Sequence, residues 1–134
     1  MRGRAEPDRT KPPSKRSDYW GVVLGTSDPR ALARFYAEIL GWRIVKDEPG
    51  WVTIYPDEGV AYVAFQYEKN QQRPAWPEVD EQQMRMHLDV EVEDLDTAVE
   101  HAIELGASMP DHQPQDNVRV LVDPAGHPFC LYSG

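Results

Sequence analysis

The chain has 134 residues, 40% of them hydrophobic, with a net charge of −9 and one cysteine. That length makes one ordinary domain with room for a core. A single Cys130 excludes an intrachain disulfide and fits a reducing compartment. Residues 1–16 hold six basic side chains against two acidic ones, which makes this tail +4 and leaves −13 for residues 17–134. An acidic body disfavours nucleic acid and anionic membrane, because phosphate binding needs clustered Lys and Arg.

The tail, residues 1–17, is rich in Pro and charge, so it is expected to be disordered. It has no apolar core of a secretory signal, and no run approaches a membrane span. A cytoplasmic location is therefore expected.

Tyr19 to Thr26 alternates as a first strand, with Trp20, Val22 and Leu24 on one face. Asp28-Pro29 opens a helix with an N-cap and a proline at its first position. Leu32, Phe35, Tyr36, Ile39 and Leu40 form its apolar stripe, and Gly41 stops it. Trp42 to Val45 is a second strand. Trp51 to Tyr55 is a third, with Val52 and Ile54 on one face and Trp51, Thr53 and Tyr55 on the other. Val60 to Gln66 is a fourth. The polar stretch 68–84, with Trp76 between Pro74 and Pro77, reads as a linker.

Arg85 to Val92 alternates clearly: Leu88, Val90 and Val92 apolar; His87, Asp89 and Glu91 polar. Asp94 is an N-cap, Leu95 to Leu105 a helix, and Gly106 its stop. Ala107 to Met109, Val118 to Val122 and His127 to Tyr132 complete the set as strands six, seven and eight. Placing Asp28 over Asp94 aligns Val22 with Leu88 and Leu24 with Val90. The chain is thus an internal repeat of about 65 residues, each copy reading β-α-β-β-β. Module one is 18–67 and module two 85–134.

Four segments carry a resemblance: D-P-x-x-L-A-x-F-Y-x-x-x-L-G (Asp28 to Gly41), H-L-D-V-E-V-E-D-L-D-x-A-V (His87 to Val99), L-G-A (Leu105 to Ala107) and D-P-A-G-H-P-F-C-L (Asp123 to Leu131). With the repeat, they resemble the vicinal-oxygen-chelate superfamily, within it the glyoxalase-like and bleomycin-resistance-like proteins. The resemblance spans residues 18–134. It implies an α+β fold of two βαβββ modules with sheets curled around a shared cleft, the glyoxalase/bleomycin-resistance/dioxygenase fold. It also implies a homodimer.

Metal-dependent members of the superfamily place one ligand on the first and fourth strand of each module. The matching positions here are Gly21 and Val63, then His87 and Cys130. Glycine and valine cannot ligate, so His87 and Cys130 would hold any ion alone, and no metal or other cofactor is expected. Cys130 is open to two readings, a small core residue or a soft-metal ligand. His87 is likewise either a ligand-contacting group or a hydrogen-bonded structural histidine.

Counting by twos from these positions adds Val23, Gly25, Ala61, Phe65, Asp89, Glu91, Pro128 and Tyr132 to the cleft. Trp51, Thr53 and Tyr55 join from strand three, and Arg119 and Leu121 from strand seven. The ligand-binding set is then Trp51, Tyr55, Phe65, His87, Asp89, Glu91, Arg119, Cys130 and Tyr132. Aromatics with carboxylates suit a planar or cationic small molecule through stacking, cation–π contact and charge pairing. Two functions compete: a metal-free binder of a cationic or aromatic ligand, and a lyase or isomerase using His87 as catalytic base. No dinucleotide, P-loop, zincin, C-x-x-C or nucleophile-elbow motif is present in the sequence.

Overall fold

The computed structural model describes residues 2, 4, 6–12, 15, 16, 18–71 and 86–133. Residues 72–84 of the expected linker lie outside the described residues, as does the start of the fifth strand at Arg85. The chain divides into two compact units, Met1–Lys69 and Asn70–Gly134. No helix among the described residues is long and apolar enough to cross a membrane.

Unit 1 runs β1 (Trp20–Thr26), α1 (Pro29–Leu40), β2 (Arg43–Glu48), β3 (Trp51–Tyr55) and β4 (Ala61–Tyr67), with sheet order β1-β4-β3-β2. β1 pairs parallel with β4, and the other pairs are antiparallel. Local chemistry sets the helix ends. Asp28 accepts a hydrogen bond from the Ala31 N–H at 3.0 Å, satisfying one of the orphan donors of the first turn. Gly41 closes the helix at φ 65°, a left-handed conformation open to glycine at little cost.

α1 buries Leu32, Ala33, Phe35 and Tyr36. Tyr36 stacks on Phe65 of β4, with ring centroids 5.7 Å apart and planes at 20°. Phe65 pairs with Val52 and Val63 with Ile54, so these four side chains share the helix-covered face of the sheet. Val52, Ile54 and Phe65 are completely buried. Burying each such side chain is worth about 1.5–3 kcal/mol. β2 is the opposite case: all six of its residues are exposed at the sheet edge. A register shift between Ile44 and Lys46, with charges at Lys46, Asp47 and Glu48, blunts that edge.

Unit 2 runs β5 (Leu88–Glu91), α2 (Leu95–Glu104), β6 (Val118–Val122) and β7 (Pro128–Tyr132), in sheet order β5-β7-β6. Asp94 caps α2 by accepting from the Thr97 N–H at 2.9 Å. β5 is parallel to β7, and β6 antiparallel to it. The strand expected at Ala107 to Met109 is reduced to one bridge, Ser108 to Val122. Pro110 follows two residues later without an N–H to extend the ladder. The side chain of Gln113 does part of that strand's work. Its Oε1 accepts from the Val120 N–H at 2.8 Å, and its Nε2 donates to the Val120 carbonyl at 3.0 Å.

Asp123, 1% exposed, ties the β6–β7 turn. Its carboxylate accepts from the N–H groups of Ala125 at 2.8 Å and His127 at 3.0 Å. His127 therefore belongs to the turn through its backbone. His101 and His112 are exposed.

Candidate functional site

The site is built on β5 and β7 of unit 2. Leu88 and Val90 of β5 are half-buried, while Asp89 and Glu91 are exposed. The alternation therefore turns the apolar side chains to the less exposed face of the strand and the polar ones to the open face. The parallel register pairs Leu88 with Phe129, Asp89 with Cys130, Val90 with Leu131 and Glu91 with Tyr132. Cross-strand partners share a face, so Asp89, Glu91, Cys130 and Tyr132 stand together. His87, one residue before β5, joins them: its Nε2 lies 3.0 Å from Asp89 Oδ1.

One nitrogen, one oxygen and one sulfur, from His87, Asp89 and Cys130, lie within 4.8 Å of one another. Cys130 forms the floor, only 4% exposed. Burial pushes its thiol up to about 11, with the Asp89 carboxylate beside it adding to the effect by charge and by hydrogen bonding. At neutral pH this is a protonated thiol, not a nucleophile. At the carboxyl ends of β5 and β7, Glu91, Val92, Glu93 and Ser133 line an open hollow of about 550 Å³.

In unit 1 the face away from α1 carries Trp51, Thr53 and Tyr55, as the alternation of β3 predicts. Opposite Trp51 and Thr53 on β4 stand Gln66 and Ala64. Tyr55 and Tyr62 stack at 5.3 Å and 24°, and Tyr19 meets Tyr55 edge-on at 5.5 Å. Burial, with Tyr62 and Tyr19 nearby, raises the pKa of Tyr55. Sequence reasoning missed Tyr19 and Tyr62. The available signal was Gly21, a glycine inside a strand without a positive φ, which marks a close approach. A Cβ built on Gly21 would lie 2.4 Å from Cε2 of Tyr62.

Three expected placements are corrected. Phe65 lies on the helix side of unit 1, stacked on Tyr36, and not beside Tyr55. Ala61 to Phe65 is apolar at nearly every position, so β4 has no alternation from which to read its faces. Arg119 pairs with Leu131, on the side of Val90 and not of Asp89. Its guanidinium donates to the carbonyls of Gln115, Asp116 and Val118, so the strand parity assumed for Arg119 and Leu121 was off by one. Val63 answers to Phe129, because Val22 pairs with Val63 as Leu88 pairs with Phe129. The residue answering to Cys130 is Ala64.

The metal positions implied by the resemblance can now be tested against the fold. Gly21 and Ala64 of unit 1 offer no donor atom, and Gly21 is covered by Tyr62. In unit 2, His87 and Cys130 do stand together, and Asp89 adds a third donor. A nitrogen, an oxygen and a sulfur suit a zinc-like ion; with tetrahedral bonds of about 2.0–2.3 Å, its donors stand about 3.3–3.8 Å apart. The donors are therefore gathered but not at bonding separation, and His87 and Asp89, 31% and 58% exposed, are the side chains with room to turn toward an ion.

A family description, the glyoxalase-like domain, matches residues 21–132. The chain belongs to the glyoxalase-like domain family. It is thereby a member of the vicinal-oxygen-chelate superfamily. Among solved structures it is similar to a glyoxalase/bleomycin resistance protein/dioxygenase family enzyme from Burkholderia phytofirmans PsJN, at 18% identity and TM-score 0.64, over 84% of this chain and 95% of that one. A fosfomycin resistance protein from Mesorhizobium loti matches at 19% identity and TM-score 0.62, over 86% and 90%. An antibiotic-binding protein from Streptomyces sp. CB03234 matches at 20% identity and TM-score 0.57, over 89% and 97%. At such identities the likeness shows the fold alone. No curated protein matches this chain.

Proposed function

We propose that this glyoxalase-like protein binds a small cationic or aromatic molecule on the open face of unit 2. The observation that carries the reading is an open hollow of about 550 Å³ lined by Glu91, Val92, Glu93 and Ser133, with Tyr132 the register partner of Glu91. Two carboxylates lining one hollow attract a cation by charge, and a tyrosine on the neighbouring strand can add its ring's quadrupole. That volume falls within the range of small-ligand sites, about 300–1,000 Å³. This recognition needs no metal. The fold also serves proteins described as fosfomycin resistance and antibiotic-binding proteins, so capture of a small molecule lies within its range.

A thermal-shift screen of cationic aromatic compounds tests the reading. A true ligand at 100 times Kd adds about 2.7 kcal/mol to stability, and Glu91→Gln weakens it about tenfold. Absence of any stabilisation across the screen, with the protein folded, counts against the proposal.

One contact favours a second reading. His87 Nε2 at 3.0 Å from Asp89 Oδ1 orients the imidazole as a base is oriented in a lyase or isomerase. Turnover of an α-oxo aldehyde, acid or thioester, lost in His87→Ala, would establish it.

A further inference from the structure

We infer that His87, Asp89 and Cys130 form a binding site for a borderline or soft divalent cation, contained within unit 2. The site differs from the four-position arrangement that the resemblance implies. Two of those positions are filled here by Gly21 and Ala64, which have no ligand atom, and Asp89 is not one of them.

Backbone geometry brings the donors together. His87 and Asp89 are two residues apart, so the period of the strand sends both to one face. Asp89 and Cys130 are register partners, so the carboxylate stands directly across from the sulfur. The three ligand atoms lie within 4.8 Å of one another. Cys130 is buried and fixed by the sheet, whereas His87 and Asp89 can reach in from the accessible side.

The donor set chooses the ion. Imidazole and thiolate favour zinc, cobalt or cadmium over magnesium or calcium, which take oxygen ligands. Three protein ligands with one side open to solvent is the ligand count of a zinc site that keeps a position for water or substrate. The ion would displace the thiol proton to solvent on binding.

The proposal is independent of the small-molecule reading, which rests on Glu91 and Tyr132. Full-length protein, stripped of metal and kept reduced, is titrated with cobalt(II), and the near-ultraviolet thiolate-to-cobalt band is followed. A parallel thermal-shift series uses zinc. One equivalent of cobalt with that band, and a zinc-dependent rise in melting temperature, is the expected result. Asp89→Asn and His87→Ala each weaken binding at least tenfold, and Cys130→Ser abolishes the band. Glu91→Gln leaves the titration unchanged, which separates failure of this proposal from failure of the ligand reading. Should Cys130→Ser misfold, the two variants at accessible positions decide. A wild-type chain with neither band nor zinc shift overturns the inference. So does a band that Asp89→Asn leaves unaltered, because the third donor is then not a donor.

Discussion

Unit 1 and unit 2 use one plan, a helix on one side of a small sheet whose first and last strands run parallel, yet their helix-free faces differ in kind. In unit 1 that face holds Trp51 and the contacting rings of Tyr19, Tyr55 and Tyr62, with Gly21 lying under Tyr62. In unit 2 the position answering to Gly21 is His87, and beside it stand Asp89 and Cys130. One repeat carries packed rings where the other carries donor atoms. Duplication of the backbone thus carries no duplication of chemistry, because chemistry depends on the few side chains that the register brings face to face.

The comparison can be broken most severely at Phe65. This side chain is 0% exposed and stacks on Tyr36. Phe65→Ala should cost about 3–5 kcal/mol, as loss of a core aromatic does. Denaturant unfolding reads the loss. A cost below about 1 kcal/mol, typical of a surface position, would return Phe65 to the open face and undo the assignment of sides in unit 1.

A smaller effect sharpens the contrast at Gly21. Gly21→Ala introduces a Cβ 2.4 Å from the Tyr62 ring. Overpacking of this kind costs about 1–3 kcal/mol. In a Tyr62→Ala background the same substitution should cost much less, and the double-mutant cycle reports that coupling. Equal costs in both backgrounds would show that the ring does not require the glycine.

The smallest expected effect lies at the entry to β1. Asp18 is buried and accepts from Arg16 Nε at 2.9 Å, while Arg4 Nη2 donates to the Asp18 carbonyl at 2.7 Å. The hydrogen bond from Arg16 holds the Asp18 carboxyl below its ordinary value of 3.8. A carboxyl depressed in the folded state stabilises the fold above its unfolded pKa. That contribution is lost as pH falls below 3.8 through the folded value. Asp18→Asn should flatten this part of the stability profile relative to wild type, as measured by unfolding at a series of acidic pH values. Identical acid limbs in the two proteins would remove the ion pair from unit 1's account.

Much of the architecture was legible in the residues. Asp28 and Asp94 sit at the N-caps they suggest, because a short carboxylate beside an orphan N–H is a local interaction needing no tertiary partner. β3 and β6 have the limits read from the chain. β5 shows the expected faces, since polar and apolar residues alternate there without interruption. The same reasoning failed on β4 and β6. Their apolar residues occupy both parities, and a period of two conveys nothing where it is absent.

The sequence by itself determined the repeat, the helix caps and the order of the elements, save for the strand expected at Ala107 to Met109, because periodicity and capping act over a few residues. Only the tertiary structure decided which side chains share a face. The register of β5 against β7 set Asp89 across from Cys130, and that of β1 against β4 laid Tyr62 over Gly21. These partners lie some forty residues apart in the chain. No local signal spans that distance: register is settled by the packing of the whole sheet against its helix, where a slip of one residue would turn every apolar side chain to water.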